Sequence, residues 1–538
     1  MAQIPADIGG FTVPSKLRYI PKPVGITGER VIDRIEPDGA NKKVHCKATG
    51  SRQSRILTIP RMDGAFLDPE QVRISWDSVV YYDGTEAADH LAKPPSEEDN
   101  MGVIPPDGQY GYIYSLRIKS GSSTLAYKEN YNRLHTFMKK ANMNKEYYDT
   151  IGTTEGYWGS FLSNAFRYGN QIMNIQQGDI SQIIETTDQV AILDTTAAGV
   201  VVVRNAQPPH AAIDTTSVLT QINKELIVRA GTNTRYSLHP HILLFDLPKA
   251  IHLGDFPSGL TLEIVFENPL VALSTQNYAS YMTGYTGVVG ATDANRLNIT
   301  GGGTDLTSRS YVIDNLALEI EYVKMDDAFV ALWNQIRSES GHSIHFNDWS
   351  ILNKSYTSGY DTILPSVSNV KSAYVFFQGA NQVNGDRGNS LDKYVDMNIQ
   401  NYKFRYGKLT LPMDDGVVYE ADLINYNYIA ESLKALGKYS DIDGGSIINY
   451  KDPATLYNTG DAITDSDGAD VLNGKDFFLG CRFTPFVNDD SYTLDTGTLS
   501  LYTKQHSATT SNQFTTYVVI YQDKIITFDS MGGVGVSE

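Results

Sequence analysis

The strongest constraint on the fold is that the chain carries one order of predicted elements twice. NYNRLHTFMKKA at Asn130–Ala141 and NYNYIAESLKAL at Asn425–Leu436 share their first three residues, and both then place apolar residues four positions apart. That spacing puts the apolar side chains on one face of a helix. Two unrelated surface helices could share a preference for Asn at the start, so the repeat has to be tested against the neighbouring segments.

The neighbouring segments repeat in the same order. Each half opens with a predicted strand that has a basic residue after valine, at Val72-Arg73 and at Val370-Lys371. A strand, a glycine and Thr-Leu precede the helix in both halves, and a strand pair and a long alternating strand follow it. In sequence, LRIKSGSSTL corresponds to YKFRYGKLTL, ILLFDLP to FFLGCRF, GLTLEIVFE to GTLSLYTK, and NLALEIEYV to TTYVVIYQDKIITFD. Because chance matches do not keep their order, these segments indicate a duplicated β-domain.

The two copies differ mainly in the length of their connections. Residues 150–234 and 272–311 are extra in the first copy, and their Gly, Thr and Asn content predicts exposed loops. Each copy has room for about eight strands and one helix. We therefore predict an all-β-dominated protein of two tandem eight-stranded antiparallel jelly rolls, with a few short helices and long loops.

Three regions follow from this pattern. Residues 1–50 are predicted to form a basic N-terminal arm, 51–325 the first jelly roll with its insertions, and 326–538 the second jelly roll with a short C-terminal tail. DDAFVALWNQIRSE at Asp326–Glu339 has apolar residues at helical spacing, and acidic residues favour its start. This helix is predicted to mark the boundary between the two jelly rolls.

Charge is distributed unevenly along the chain. The formal net charge is −18, yet the first 55 residues hold ten basic against five acidic side chains. A basic segment on an acidic body is typical of an arm that reaches nucleic acid, a lipid surface or a neighbouring subunit. A solvated arm without a partner is equally compatible with this pattern.

Other sequence features restrict the cellular context. A chain of 538 residues can bury two cores, and it contains no run of about 18 apolar residues. The first residues lack the pattern of a secretory signal, so we expect a protein that is not secreted. Cys46 and Cys481 are the only cysteines, which suits a reducing compartment.

The element order from FRYGKLTLP through NYNYIAESL and FFLGCRF to YVVIYQDKIITFD, preceded by NLALEIEYVKMDD, resembles that of a known family. It is similar to the double jelly-roll major capsid proteins of double-stranded DNA viruses, the lineage of PRD1 and adenovirus, and most of all to those of virophages and polinton-like viruses. The resemblance covers about residues 51 to 530. The long insertions of the first copy have no matched counterpart in it.

The resemblance implies a structural protein of the virion that assembles inside the host cell. Three chains would form a pseudo-hexameric homotrimer, and trimers would tile an icosahedral shell. The implied partners are copies of the chain itself, neighbouring capsomers, and penton and minor capsid proteins. The N-terminal arm would contact an internal membrane or the genome, and no small-molecule substrate is implied.

A search for catalytic, cofactor-binding and metal-binding motifs predicts none of these sites. No GxSxG, Walker A, HExxH or CxxC motif occurs, and Gly474-Lys475 is followed by Asp476 where a phosphate loop needs Ser or Thr. The histidine pairs His239/His241 and His342/His345 have no third ligand at a convincing spacing. The carboxylates of DSDGAD (465–470) lack the ligand pattern of an EF-hand. We therefore expect no enzyme, no cofactor and no metal ion.

Two alternative functions remain open at this stage. A carbohydrate-binding or glycoside-hydrolysing β-sandwich could use aromatic loops such as GYWGSF (156–161) as a sugar platform. A viral receptor-binding fibre protein would form elongated trimers that never close into shells. Neither alternative accounts for the duplicated element order as simply as a capsid protein does.

Overall fold

The computed structural model describes the greater part of both halves of the chain. The described residues are 28–39, 42–81, 108–142, 233–247, 250–277, 310–340, 342–356, 359, 361–367, 369–379, 391, 394, 399–412, 417–418, 427–439, 478–484, 497–505, 514–528 and 534–537, with short strands at 7–8, 11–12, 101–104, 181–186, 189–195, 201–205, 228–229, 463–464 and 470–471. Among them, no helix has the length and hydropathy needed to cross a bilayer.

The first half forms a sandwich of two antiparallel sheets. Its strands are β1 Gly28–Ile35, β2 Val44–Lys47, β3 Ser54–Ile59, β4 Ala65–Leu67, β5 Arg73–Tyr81, β6 Ile113–Ser120, β7 Ser123–Lys128, β8 Asn233–Leu238, β9 Ile251–His252, β10 Leu260–Phe266 and β11 Ser310–Met325. One sheet has the order β8-β5-β11-β4-β9, with β1 and β2 also paired to β11, and the other has the order β7-β6-β10-β3. Helices α1 (Tyr131–Asn142) and α2 (Pro269–Ala272) lie in its connections.

The second half repeats this sandwich after helix α3 (Asp327–Ser340). Its strands are β12 His342–Ser355, β13 Asp361–Val367, β14 Val370–Gly379, β15 Ile399–Tyr406, β16 Leu409–Leu411, β17 Val417–Val418, β18 Leu479–Arg482, β19 Gly497–Gln505, β20 Phe514–Phe528 and β21 Val534–Ser537, and its helix is α4 Asn427–Ala435. The sheets have the orders β12-β20-β14-β18 and β13-β19-β15-β16, with β21 paired to β20 and β17 to β15.

The two halves share the strand order of a jelly roll. The eight principal strands, in chain order, are β2, β3, β5, β6, β7, β8, β10 and β11 in the first half, and β12, β13, β14, β15, β16, β18, β19 and β20 in the second. In both halves strands one, eight, three and six form one sheet, and strands two, seven, four and five form the other. The predicted fold class of two tandem antiparallel jelly rolls is confirmed.

Alternation of side chains explains why these strands pair as they do. In β10 every second residue is buried, and in β11 Leu316, Leu318, Ile320 and Tyr322 are buried as their spacing predicts. Successive side chains of a strand point to opposite faces, so this pattern turns one face of each sheet toward its partner. The first core fills the space between the first two sheets, and a second core does so in the other half.

The first half differs from its sequence-based description in two places. ILLFDLP was predicted as a strand, but Leu243–Asp246 is a short 3-10 helix, and the sixth strand is Asn233–Leu238 instead. Leu243 has a φ of 32°, which interrupts an extended backbone. Part of the insertion predicted as loop forms a three-stranded antiparallel sheet of Ser181–Thr186, Gln189–Thr195 and Val201–Asn205.

Part of the predicted basic arm belongs to the first sandwich. Gly28–Ile35 and Val44–Lys47 pair with β11 along most of that strand, so residues 28–47 are not a separate arm. Their basic side chains face carboxylates of β11: Arg30 pairs with Glu321, Arg34 lies 3.8 Å from Glu319, and Lys43 lies 3.4 Å from Asp314. The acidic body is thus one partner of the basic segment.

Candidate functional site: the interface between the two jelly rolls

Helix α1 of the first jelly roll packs against a sheet of the second. Leu134, Phe137 and Ala141 of this helix are buried in a hydrophobic cluster with second-half residues. The second-half members of that cluster are Ile351, Tyr374, Phe376, Tyr394, Phe478, Tyr517 and Val519. Phe137 is fully buried and stacks on Phe376 with a ring-centroid distance of 5.7 Å. Apolar burial on this scale holds the two jelly rolls together.

The interface also contains strands of the second half that extend into the first core. Ile344 and Phe346 of β12, together with Ile526 and Phe528 of β20, belong to the core cluster of the first jelly roll. Phe528 packs edge-on against Phe256, with ring centroids 5.6 Å apart. These four second-half side chains are therefore buried in the core of the first jelly roll.

The first Asn-Tyr-Asn segment supplies polar contacts at the start of α1. Asn130 has a φ of 53°, a left-handed conformation that Asn adopts more readily than most residues. The hydroxyl of Tyr131 accepts a hydrogen bond from the backbone N–H of His241 at 3.0 Å, and Asn132 donates to Glu267 at 2.9 Å. The corresponding side chains at 425–427 lie outside the described residues.

A buried arginine links α1 to the second half. Arg133 is 2% exposed, and its Nε donates a hydrogen bond to Oε1 of Gln378 at 2.9 Å. Its Nη1 lies 3.8 Å from Oε2 of Glu267, and the other carboxylate oxygen, Oε1, accepts hydrogen bonds from Arg52. Each buried charge thus has a charged or polar partner, as low-dielectric burial requires.

A buried lysine forms the second polar link. Lys128, at the end of β7, is 5% exposed, and its Nζ lies 2.9 Å from Oδ1 of Asp348 in β12. Lys524 approaches the other carboxylate oxygen of Asp348 at 3.3 Å. Nζ of Lys128 also donates to the backbone carbonyl of His241 at 3.2 Å. The Lys128–Asp348 pair therefore connects the first jelly roll to the second and helps to fix their relative position.

Helix α4, the second copy of the repeated helix, packs next to α1 at the same interface. Lys438, just after α4, donates from Nζ to the backbone carbonyl of Asn142 at the end of α1, at 3.2 Å. Tyr374 donates its hydroxyl hydrogen to the carbonyl of Ala435 at 2.6 Å. Both helices therefore cover the same sheet of the second jelly roll.

Near Tyr131, two histidines, His239 and His241, form a polar cluster beside this interface with Asp246. His239 and His241 follow β8, and the 3-10 helix Leu243–Asp246 returns Asp246 to them. Oδ1 of Asp246 lies 3.1 Å from Nδ1 of His241 and 3.6 Å from Nε2 of His239. Burial alone would raise the pKa of Asp246, but hydrogen bonds from the two histidines hold it well below its usual range.

The sequence-predicted sites are placed as follows. His239 and His241 come together with Asp246, a ligand-type residue that sequence reasoning missed, although it lies only five positions beyond His241. His345 is exposed on β12, and His342 belongs to the same strand. Segments 156–161, 465–469 and 474–475 lie outside the described residues, as do the side chains at 470 and 476. Sequence alone gave no signal for Lys128, Arg133 or Glu267, because their roles depend on the packing of the two halves.

The strand order and the shared interface define the chain as a double jelly-roll protein. No protein-family model matches the sequence, and no curated protein matches it significantly. Solved structures do resemble it. A chain of the Sputnik virophage cryo-EM structure is 10% identical, with 100% of this chain and 94% of that chain covered and a TM-score of 0.48.

Two further solved structures are major capsid proteins. The mavirus major capsid protein is 11% identical, with 100% of this chain and 96% of that chain covered and a TM-score of 0.39. The Faustovirus major capsid protein is 8% identical, with 95% and 92% covered and a TM-score of 0.46.

Proposed function

We propose that the chain is the major capsid protein of an icosahedral virus and has a structural role. The observation that carries this proposal is the repetition of one jelly roll in a single chain, with the same strand order in both copies. Three such chains around a threefold axis place six similar sandwiches in a nearly hexagonal ring. A hexagonal outline lets one gene product tile a closed shell.

The interface between the jelly rolls supports this role. Buried apolar packing and the Lys128–Asp348 pair hold the two sandwiches as one body. A capsomer needs such rigidity because its six sandwiches have to keep their relative positions while neighbouring capsomers dock. Self-association, first into homotrimers and then with neighbouring capsomers, is the partner interaction we propose, with penton and minor capsid proteins completing a shell in the virion.

The proposed function is tested by the mass and the outline of the purified protein. A particle of three times 59.5 kDa, with a hexagonal outline in negative-stain electron microscopy, or closed shells, is the expected result. A stable monomer would contradict the proposal and favour a carbohydrate-active sandwich. An elongated trimer that never forms shells would favour a receptor-binding fibre.

A further inference from the structure

The histidine cluster beside the interface has the composition of a transition-metal site. His239, His241 and Asp246 are the only three His, Cys, Asp or Glu residues, among those that the structure describes, whose ligand atoms all lie within 4.8 Å of one another. Two imidazole nitrogens and one carboxylate oxygen form a donor set that Zn²⁺ binds in proteins, usually with water as the fourth ligand. Ca²⁺ and Mg²⁺ prefer oxygen donors and match this set poorly.

The distances in the cluster fit tetrahedral coordination. With metal–ligand bonds of about 2.0–2.1 Å, two ligand atoms of a tetrahedral zinc site lie about 3.3 Å apart. The distances from Oδ1 of Asp246 are 3.1 Å to Nδ1 of His241 and 3.6 Å to Nε2 of His239. A displacement of a few tenths of an ångström therefore brings Oδ1 of Asp246 to ligand spacing with each of the two imidazoles, and all three ligand atoms already lie within 4.8 Å of one another.

The backbone fixes the orientation of one of the two imidazoles. Nδ1 of His239 lies 2.9 Å from the carbonyl oxygen of Val72. A carbonyl oxygen only accepts, so Nδ1 carries the hydrogen and Nε2 is directed toward Asp246. Metal-bound histidines commonly donate their second ring N–H to a backbone carbonyl in this way, which fixes tautomer and ring position.

The cluster is accessible to an ion from solvent. The side chains of His239, His241 and Asp246 are 24%, 31% and 32% exposed to solvent. An ion can enter without local unfolding, and a water molecule can complete the coordination. At the same time the rings of His239 and His241 pack edge to face, with centroids 4.9 Å apart, which limits their motion.

We propose that His239, His241 and Asp246 bind one Zn²⁺ ion per chain. The ion would bridge the carboxylate and the two imidazoles. It connects the end of β8, the 3-10 helix and the segment at Val72. The backbone of His241 is already bonded to Tyr131 and Lys128, so the ion stabilises the interface between the jelly rolls.

The experiment uses the full-length protein after treatment with a chelator and dialysis. Co²⁺ is titrated as a spectroscopic probe, and Zn²⁺ binding is measured by calorimetry. We expect one ion per chain, a visible Co²⁺ absorption band with the intensity of a tetrahedral site, and displacement of Co²⁺ by Zn²⁺. A ligand that binds only the native state raises its Tm, here by about 2–5 °C in excess Zn²⁺.

Two variants assign the ion to this cluster. His239→Gln/His241→Gln is expected to lose the Co²⁺ band and the rise in Tm, whereas His345→Gln, which changes an exposed histidine of β12, should retain both. Asp246→Asn keeps the shape of the side chain and should weaken Zn²⁺ binding at least about tenfold. This single variant decides the assignment if the double variant does not fold.

Two results would overturn the proposal. One is a wild-type protein that binds neither Co²⁺ nor Zn²⁺ at micromolar concentrations, which needs no variant to interpret. The other is a folded Asp246→Asn or double variant that binds both ions as tightly as the wild type. Either result leaves the proposed capsid function untouched, because trimer formation is measured separately.

Discussion

At the residue scale, the buried ion pair Lys128–Asp348 is expected to contribute more to stability than an exposed ion pair. Lys128→Met removes the partner that lies 2.9 Å from Asp348 and leaves the carboxylate with Lys524 alone. Removal of one member of a buried pair is strongly destabilising, so we expect the free energy of unfolding to fall by about 2–4 kcal/mol. Urea denaturation followed by tryptophan fluorescence measures this loss.

The matched control for that variant is Arg61→Met. Arg61 and Asp63 are 2.9 Å apart, but their side chains are 47% and 68% exposed. Exposed pairs contribute less than about 1 kcal/mol, so this variant should unfold close to the wild type. Equal losses in the two variants would show that the pair between the jelly rolls has no special role.

The two cysteines provide a prediction for alkaline pH. Cys46 and Cys481 are buried, and burial raises the pKa of the Cys46 thiol to about 11 and that of Cys481 above its ordinary value. The unfolded thiols ionise near pH 8.5, so the native state retains protons that the unfolded state releases. The free energy of unfolding therefore keeps its full value below about pH 8.5 and decreases as the pH rises toward 11.

Urea denaturation at pH 8 and at pH 10 measures this loss of stability, and thiol titration with Ellman's reagent at pH 8 tests the burial that causes it. The native protein should react slowly, because the thiolate is the reactive form, and two thiols per chain should react after unfolding in guanidinium. The variants Cys46→Ala and Cys481→Ala should each lose one equivalent. Rapid reaction of either thiol in the native protein would contradict the burial described for it.

Individual residues of the interface were the least predictable part of the molecule. Alternating Leu316, Leu318 and Ile320 indicated a buried strand face, because that signal is local in sequence. Arg133 and Gln378, in contrast, are 245 positions apart, and nothing in either segment indicates that they meet. Asp246 was missed for a related reason: the 3-10 helix that returns it to the histidines was predicted as a strand.

At the scale of elements, the approach of α4 to its sheet depends on a glycine. A Cβ atom on Gly480 of β18 would lie 3.1 Å from Cβ of Ala435, Cα of Ser432 and a ring carbon of Tyr374. Two of these neighbours belong to α4, so Gly480→Ala has to push the helix outward. Overpacking of this kind costs about 1–3 kcal/mol, which thermal unfolding should show as a lower Tm.

Gly50→Ala is the control for this substitution. A Cβ atom on Gly50 would meet only Lys47, at 3.4 Å or more, which is ordinary contact. We expect a change within about 0.5 kcal/mol, as for most surface substitutions. If Gly480→Ala behaved in the same way, α4 would be held less closely than the structure shows.

The order of elements was predictable because the repeat provided an internal check. Strands such as Leu260–Phe266 and Gly497–Gln505 were identified from alternation, and their matching positions in the two halves supported each other. ILLFDLP was matched to FFLGCRF and was nevertheless wrong, because its apolar run fits a buried strand or a buried turn equally well. The length and periodicity of this segment could not distinguish a strand from a turn, because its conformation depends on tertiary packing.

At the scale of the whole molecule, the N-terminal segment divides into residues 1–27 and the residues that pair with β11. Gly28–Ile35 and Val44–Lys47 pair with β11, and Arg30, Arg34 and Lys43 lie beside its carboxylates. Residues 1–27 precede this pairing and carry Lys16, Arg18 and Lys22. We propose that this shorter basic segment, rather than residues 1–50, connects a capsomer to its neighbours, to a minor protein, or to an internal membrane or genome.

Two deletions separate these roles. Removal of residues 1–27 should leave the Tm and the trimer unchanged but impair assembly into shells, because the sandwich keeps all its strands. Removal of residues 1–50 also deletes β1 and β2, so that one edge of β11 loses its hydrogen-bonding partners and becomes exposed. We expect this longer deletion to lower the Tm and to promote aggregation. Normal assembly of the protein that lacks residues 1–27 would show that the basic segment has no role in the shell.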